Sequence, residues 1–244
     1  MSLWNGAWYL AKRDLVKDKS VFLWGILFSG VIILFTLDYL IVRSLEKDHV
    51  INLFSIIQNT IIVLLFQTLG FGYDRNYFTK YNQTDFFTRR YSYLSTMPIS
   101  IKQLILARYI QHTITLVVMY AIIFGITGIW GNLIHPGTLT VVQFIEFMLM
   151  WVGYTSLFGS IYIFLELGFH GKIYYAISIV VSISMLVGCI VLGFLQVSVW
   201  QVAIDLIVSY GYLVTCASLL LAGVVTWLMI KLLARRMQTR DLYI

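Results

Sequence analysis

Tyr109–Ile145 reads YIQHTITLVVMYAIIFGITGIWGNLIHPGTLTVVQFI, 37 residues without Asp, Glu, Lys or Arg. A helix needs about 20 mainly apolar residues to cross roughly 30 Å of hydrocarbon. The run is therefore too long for one crossing. Inside it lies Gly131-Asn132-Leu133-Ile134-His135-Pro136-Gly137, a cluster of turn-type residues. The run divides there, with one span ending near Trp130 and the next starting near Val141.

Five further stretches lack acidic and basic residues: Ser20–Leu37, His49–Tyr73, Phe147–Leu165, Ile173–Ile204 and Leu206–Ile230. Together they predict six transmembrane helices, at about 21–42, 50–72, 106–130, 140–166, 173–195 and 206–233. The composition agrees: of 244 residues 60% are hydrophobic and 11% charged, and the mean hydropathy is +0.86. A soluble domain averages about 25% charged residues. Ordinary soluble globules and disordered chains are both excluded. The expected class is an all-α polytopic membrane protein forming a single transmembrane domain over residues 1–244. Nothing in the chain repeats, and Cys189 and Cys216 are too few for a disulfide framework or a zinc site.

Lys and Arg orient the spans, because cytoplasmic flanks are enriched in them. Alternate sides of the six spans hold fifteen such residues against two. The N-terminus and C-terminus are then both cytoplasmic. The net charge of +6 follows from this one-sided placement at helix ends, which suits anionic headgroups and not nucleic acid.

Residues 1–19 carry Trp4, Ala7, Trp8, Ala11 and Leu15 at helical spacing, with Lys12, Arg13 and Lys17 mostly elsewhere on the wheel. That predicts an amphipathic interface helix at the cytoplasmic surface; the alternative is a frayed, charged terminus. Residues 73–103 form the one long connection, between spans two and three. They hold Tyr73, Tyr77, Phe78, Tyr81, Phe86, Phe87, Tyr91 and Tyr93, with Arg89 and Arg90 among them. Aromatic and arginine side chains dominate interface hot spots, so a docking helix for a cytoplasmic partner and a belt over lipid headgroups both fit. Glu166–Lys172 reads as a tight turn or a second docking point. Gln196–Asp205 reads as a short re-entrant or interfacial piece.

Chemistry is sparse. Gly168-Phe169-His170-Gly171-Lys172-Ile173 is too short for a phosphate-binding loop and lacks its hydroxyl. No zinc-protease helix, paired-Asp metal motif or nucleophile elbow occurs. Of His49, His112, His135 and His170, only His112 falls inside a span, where a packing hydrogen bond is the ordinary role. The chain is expected not to be an enzyme, with no metal and no cofactor of its own. Glu146 lies about six residues inside span four, roughly 9 Å deep. Intramembrane acids are costly. It is read either as lining a path or receiving a cation, or as bonding Gln143 or a neighbouring helix. Span two carries Asn52, Gln58, Asn59, Thr60, Gln67 and Thr68, so it should face protein or a polar path. Asn59, Gln67 and Glu146 are the translocation-path candidates. Ser156/Ser160, Ser178/Ser182 and Ser184/Gly188 are small-residue pairs suited to close helix contact.

An interface helix, six spans and a long cytoplasmic segment after span two resemble the membrane subunit of type-2 ATP-binding-cassette exporters. The local match is Tyr93-Leu94-Ser95-Thr96-Met97-Pro98-Ile99-Ser100, followed by Lys102-Gln103-Leu104-Ile105-Leu106-Ala107-Arg108-Tyr109. Ile101 departs from the commoner pattern, which has a charged residue there.

The resemblance implies a mechanism. Two six-span subunits, a second copy or a paralogue, pair with cytoplasmic nucleotide-binding ATPase subunits, which bind the ATP and Mg. The segment Phe86–Pro98 acts as the main coupling helix, through Phe86, Phe87, Arg89, Arg90, Met97 and Pro98. Glu166, His170 and Lys172 form the second coupling point. The implied location is a bacterial plasma membrane, and the implied substrates are amphipathic peptides, antibiotics or lipids. The alternative reading is a stand-alone secondary transporter or channel, which needs coupling-ion sites at mid-membrane.

Overall fold

Three helices begin on the same short pattern. At Ser100, Thr140 and Ser198 a hydroxyl accepts from the backbone N–H of a glutamine three residues on, at 3.3, 3.3 and 3.4 Å. At the first two the glutamine Oε1 also accepts from the capping residue's own N–H, at 2.9 and 3.0 Å. Each of these is a capping box, satisfying two N–H groups that a helix start leaves unpaired.

The computed structural model describes residues 2–17, 25–34, 51–69, 88, 92–94, 99–134 and 139–239. Its principal helices are α1 (Leu3–Lys17), α2 (Gly25–Leu34), α3 (Ile51–Thr68), α4 (Ile101–Ile134), α5 (Val141–Gly168), α6 (Gly171–Phe194), α7 (Val199–Tyr210) and α8 (Tyr212–Thr239). The described residues contain no strand. Four of these helices are long and apolar enough to cross a membrane: α4, α5, α6 and α8. Helices α2 and α3 fall within the first two expected spans; residues 21–24, 35–42 and 70–72 of those spans lie outside the described residues.

Two spans are bounded differently from expectation. The sixth is expected from 206, but the chain breaks at Gly211, whose φ is +49°. Residues 206–210 therefore belong to α7, a separate 12-residue helix that takes in most of the stretch read as re-entrant or interfacial. The third extends to 101–134, because the capping box at Ser100 starts the helix before the apolar run does.

The core is aromatic. Phe66 of α3 stacks on Trp151 of α5 with centroids 4.5 Å apart, and Trp200 of α7 packs edge-on against Phe147 at 4.7 Å. Tyr120 and Phe124 of α4 close the cluster, which also includes Ile62, Met119 and Ile207. Such ring pairs contribute about 0.5–1.5 kcal/mol each beyond burial. They join α3, α4, α5 and α7 at one end of the bundle.

The other end has a second cluster of Leu94, Ile105, Ile163, Leu167, Leu233 and Met237. It brings together the start of α4, the end of α5 and the end of α8. Helix α1 lies across the same end, burying Ala7, Leu10 and Ala11 against Ala107. The first and last described segments are therefore at one end.

Helix α1 divides the apolar face read from the sequence between two surroundings. Trp4 and Trp8 are 59% and 46% exposed, while Ala7 and Ala11 are buried. Small residues let α1 approach α4 closely, and the large aromatic rings are left on the outside. Helices α5 and α8 also meet through small residues. The position of a side chain on Gly153 is 2.9 Å from the Ser218 backbone, and Ser160 and Thr226 hydroxyls share a hydrogen bond of 2.6 Å. The pair Ser184/Gly188 does not pack this way: Ser184 is exposed and Gly188 borders open space.

Burial separates the long helices into two kinds. In the apolar stretches of α4 and α5, 44% of residues are buried, against 11% in α6 and α8. Helices α6 and α8 thus present broad apolar faces outward.

Candidate functional site

At the end that holds α1, the short turn between α5 and α6 is gripped from two sides. On one side Arg108 of α4 reaches Glu166 in the last turn of α5. Its Nε and Nη2 both donate to Glu166 Oε2, at 3.0 and 2.8 Å. Its Nη1 donates to Gln111 Oε1 at 2.9 Å. The side chains are 15% and 4% exposed, so the pair is close to fully buried. On the other side Arg236 of α8 donates from Nε to the Gly168 carbonyl at 2.9 Å. Its guanidinium also lies 4.0 Å over the Phe169 ring. A cation there suits the negative end of the α5 dipole. The turn itself is open: His170, which starts α6, and Lys172 are exposed.

The proposed second coupling point therefore contains two kinds of residue. His170 and Lys172 face outward. Glu166 is instead a buried ion-pair partner. Phe86, Phe87, Arg89, Arg90, Met97 and Pro98 lie outside the described residues. Around them, Thr88 and Leu94 are buried.

The path candidates separate just as clearly. Asn59 is fully buried and already committed. Its Nδ2 donates to the Val197 carbonyl at 2.8 Å, and its Oδ1 accepts from the Val199 N–H at 2.9 Å. It pins the connection between α6 and α7. Gln67 is buried too, but neither amide atom has a hydrogen-bond partner among the described residues. Glu146 is partly buried and does not use Gln143, whose Oε1 instead closes the α5 capping box. Its Oε2 would lie 3.3 Å from a side-chain carbon on Gly211, at the break that starts α8. An acid beside a helix start is electrostatically favoured. The contact that α8 makes with this residue is to its backbone, where the Thr215 hydroxyl donates to the Glu146 carbonyl at 3.1 Å. His112 is buried, its ring occupying the place where Gly159 has no side chain.

Arg108, Gln111 and Arg236 are not among the residues that the sequence singles out; at helix ends Arg108 and Arg236 look like topology signals. A signal existed. Arg108 opens one span and Glu166 closes the next, so antiparallel packing of the two puts opposite charges at the same level. Among the described residues no group of three His, Cys, Asp or Glu could hold a metal ion.

The family model described as ABC-2 family transporter protein matches residues 75–235, about two thirds of the chain. No curated protein and no solved structure gives a significant match.

Proposed function

The chain belongs to the ABC-2 transporter family, and from that premise we propose that it is the transmembrane subunit of an ATP-driven exporter. The observation that carries this reading is the extent of the match: it runs from the long connection before α4 through nearly all of α8. ATP and Mg are bound by separate cytoplasmic ATPase subunits, and this chain supplies the path and the coupling surface.

The proposed arrangement has six spans, with α2 and α3 as parts of the first two. The end carrying α1 and the α5–α6 turn faces the cytoplasm of a bacterial plasma membrane. The fifteen-to-two Lys/Arg distribution supports that orientation. Pairing with a second copy or a paralogous six-span subunit is part of this reading; the outward apolar faces of α6 and α8 suit lipid and a partner helix alike.

Coupling has two points. Phe86, Phe87, Arg89, Arg90, Met97 and Pro98 form the main one. His170 and Lys172 meet the ATPase at the second, with Glu166 holding the turn from beneath. Among the path candidates Gln67 has unspent hydrogen-bonding capacity among the described residues, Asn59 is engaged in local structure, and the Glu146 carboxylate lies beside the start of α8. The proposed substrates are amphipathic peptides, antibiotics or lipids.

Purification from the native host in mild detergent, followed by mass spectrometry, tests the assignment. A stoichiometric P-loop ATPase is the expected companion. A chain that emerges alone under gentle extraction would overturn the exporter reading in favour of a stand-alone transporter. Within the complex, replacing Phe86 and Phe87 with Ala should detach or uncouple the ATPase while the spans stay folded. Normal ATPase co-purification and transport by that variant would remove the docking role.

A further inference from the structure

Arg108 does more than pair with one acid. Together with Leu10, Asp14, Leu94, Leu104, Ala107 and Gln111 it lines a small pocket of about 20 Å³ beneath α1. Its guanidinium thus lies where three elements meet: α1 above, its own helix α4, and the end of α5. The same end of α5 carries the exposed turn, and Arg236 ties that turn to α8.

A buried ion pair is a weak way to gain stability. Replacing both partners with apolar residues of similar volume is often neutral or better, because desolvation offsets the attraction. Such a pair does impose direction. Two donors of one rigid guanidinium fork converge on a single carboxylate oxygen, and a third is held by Gln111. The contact resists sliding in a way that an apolar surface does not. α1 seats Ala7, Leu10 and Ala11 on α4 around Ala107, so what ties the turn to α4 also ties it to α1.

We infer that Arg108 is a positioning residue that locks the α5–α6 turn to α4 and α1, so that displacement of the turn carries the interface helix with it. Glu166 is the other half of the lock. This rests on the exporter reading, in which the ATPase pushes on that turn. Motion imposed at Gly168–Lys172 then reaches α1, the start of α4 and, through Arg236, the end of α8 as one body. A link of this kind is a two-state coupling only if its parts keep their mutual geometry while the assembly moves.

The test uses the chain co-purified with its ATPase in lipid nanodiscs, with Cys216 replaced by Ala. Spin labels are attached in two pairs, Val16→Cys with Ile173→Cys, and Ile173→Cys with Val208→Cys; all three sites are exposed. Distances are measured without nucleotide and after trapping with ATP and vanadate. In the native sequence the 173–208 distance should shift by about 2 Å or more on trapping, while 16–173 stays fixed. In Arg108→Met/Glu166→Leu, which keeps an apolar filling, 173–208 should still respond but 16–173 should now change or broaden. Arg108→Lys keeps the charge without the fork and should show the same loosening in smaller degree, which preserves the test if the double variant does not fold. A 16–173 distance that stays fixed in both variants, or that changes in the native sequence, overturns the inference. Absence of the ATPase, or no response at 173–208, overturns the exporter reading and this inference with it.

Discussion

At the scale of single residues, the backbone after α6 and α7 shows what side chains tolerate. Helix α6 ends with Gln196 at φ +57°. Its N–H donates to the Gly193 carbonyl, and the Val197 N–H donates to the Leu192 carbonyl at 2.9 Å. This is a Schellman ending with a glutamine in the left-handed position, which glycine usually fills. Asn59 holds the next residues, so the strain is supported from outside the loop. Gly211 is more demanding. Its φ of +49° with ψ of −121° is sterically poor for any side chain, and Glu146 Oε2 is within 3.3 Å of where one would go. Gly211→Ala is expected to destabilise the chain by about 1–3 kcal/mol. Thermal unfolding in detergent measures it; an unchanged midpoint would mean that the break relaxes freely. None of this was legible in advance. Gly211 is one of 17 glycines, and what singles it out is a carboxylate from another helix.

Among the elements, α5 and α8 show how membrane helices associate when lipid already satisfies their apolar surface. Van der Waals contact and interhelical hydrogen bonds remain, and small residues favour both. Gly153 and Ser218 bring the backbones together, and Ser160 with Thr226 adds a polar contact about two turns away. Gly153→Ala should therefore separate the helices and cost about 1–3 kcal/mol, as overpacking does. Ser184→Ala, on an exposed face of α6, should cost far less. A matched pair of unfolding measurements decides whether contact or intrinsic helix preference sets the difference. Small-residue spacing identified Ser156/Ser160 and Ser184/Gly188 equally well; only the first pair is at a described helix contact. A spacing rule reports that a helix can approach another closely, and it carries no information about which neighbour is there. The helix starts are the opposite case. Ser100, Thr140 and Ser198 each sit three residues before a glutamine, a local arrangement that needs no partner helix.

For the molecule as a whole, the expected orientation can be tested in intact cells. A cysteine placed at Val208 should react with an impermeant thiol reagent from outside. One placed at Lys172 should react only after the membrane is opened. The reverse pattern would invert the assignment and remove the coupling role of the α5–α6 turn. The sequence by itself determined the class, the all-helical character and most helix positions. Apolar run length and charge-free stretches are local properties, and hydrocarbon thickness sets a scale against which one chain can be read. It also contained the family signal, through the string ending at Ser100 and the placement of the long segment before it. What only the tertiary structure decided is which polar side chains have a partner. Asn59 and Gln67 look alike as amides in one span, yet Asn59 pins two backbone groups 138 and 140 residues away and Gln67 pins none among the described residues. Arg108 and Glu166 look like two flank charges, yet they meet at 2.8 Å across 58 residues. Whether a polar atom is paired depends on what lies within hydrogen-bond reach of it, and for residues far apart in the chain that is set by how the helices pack.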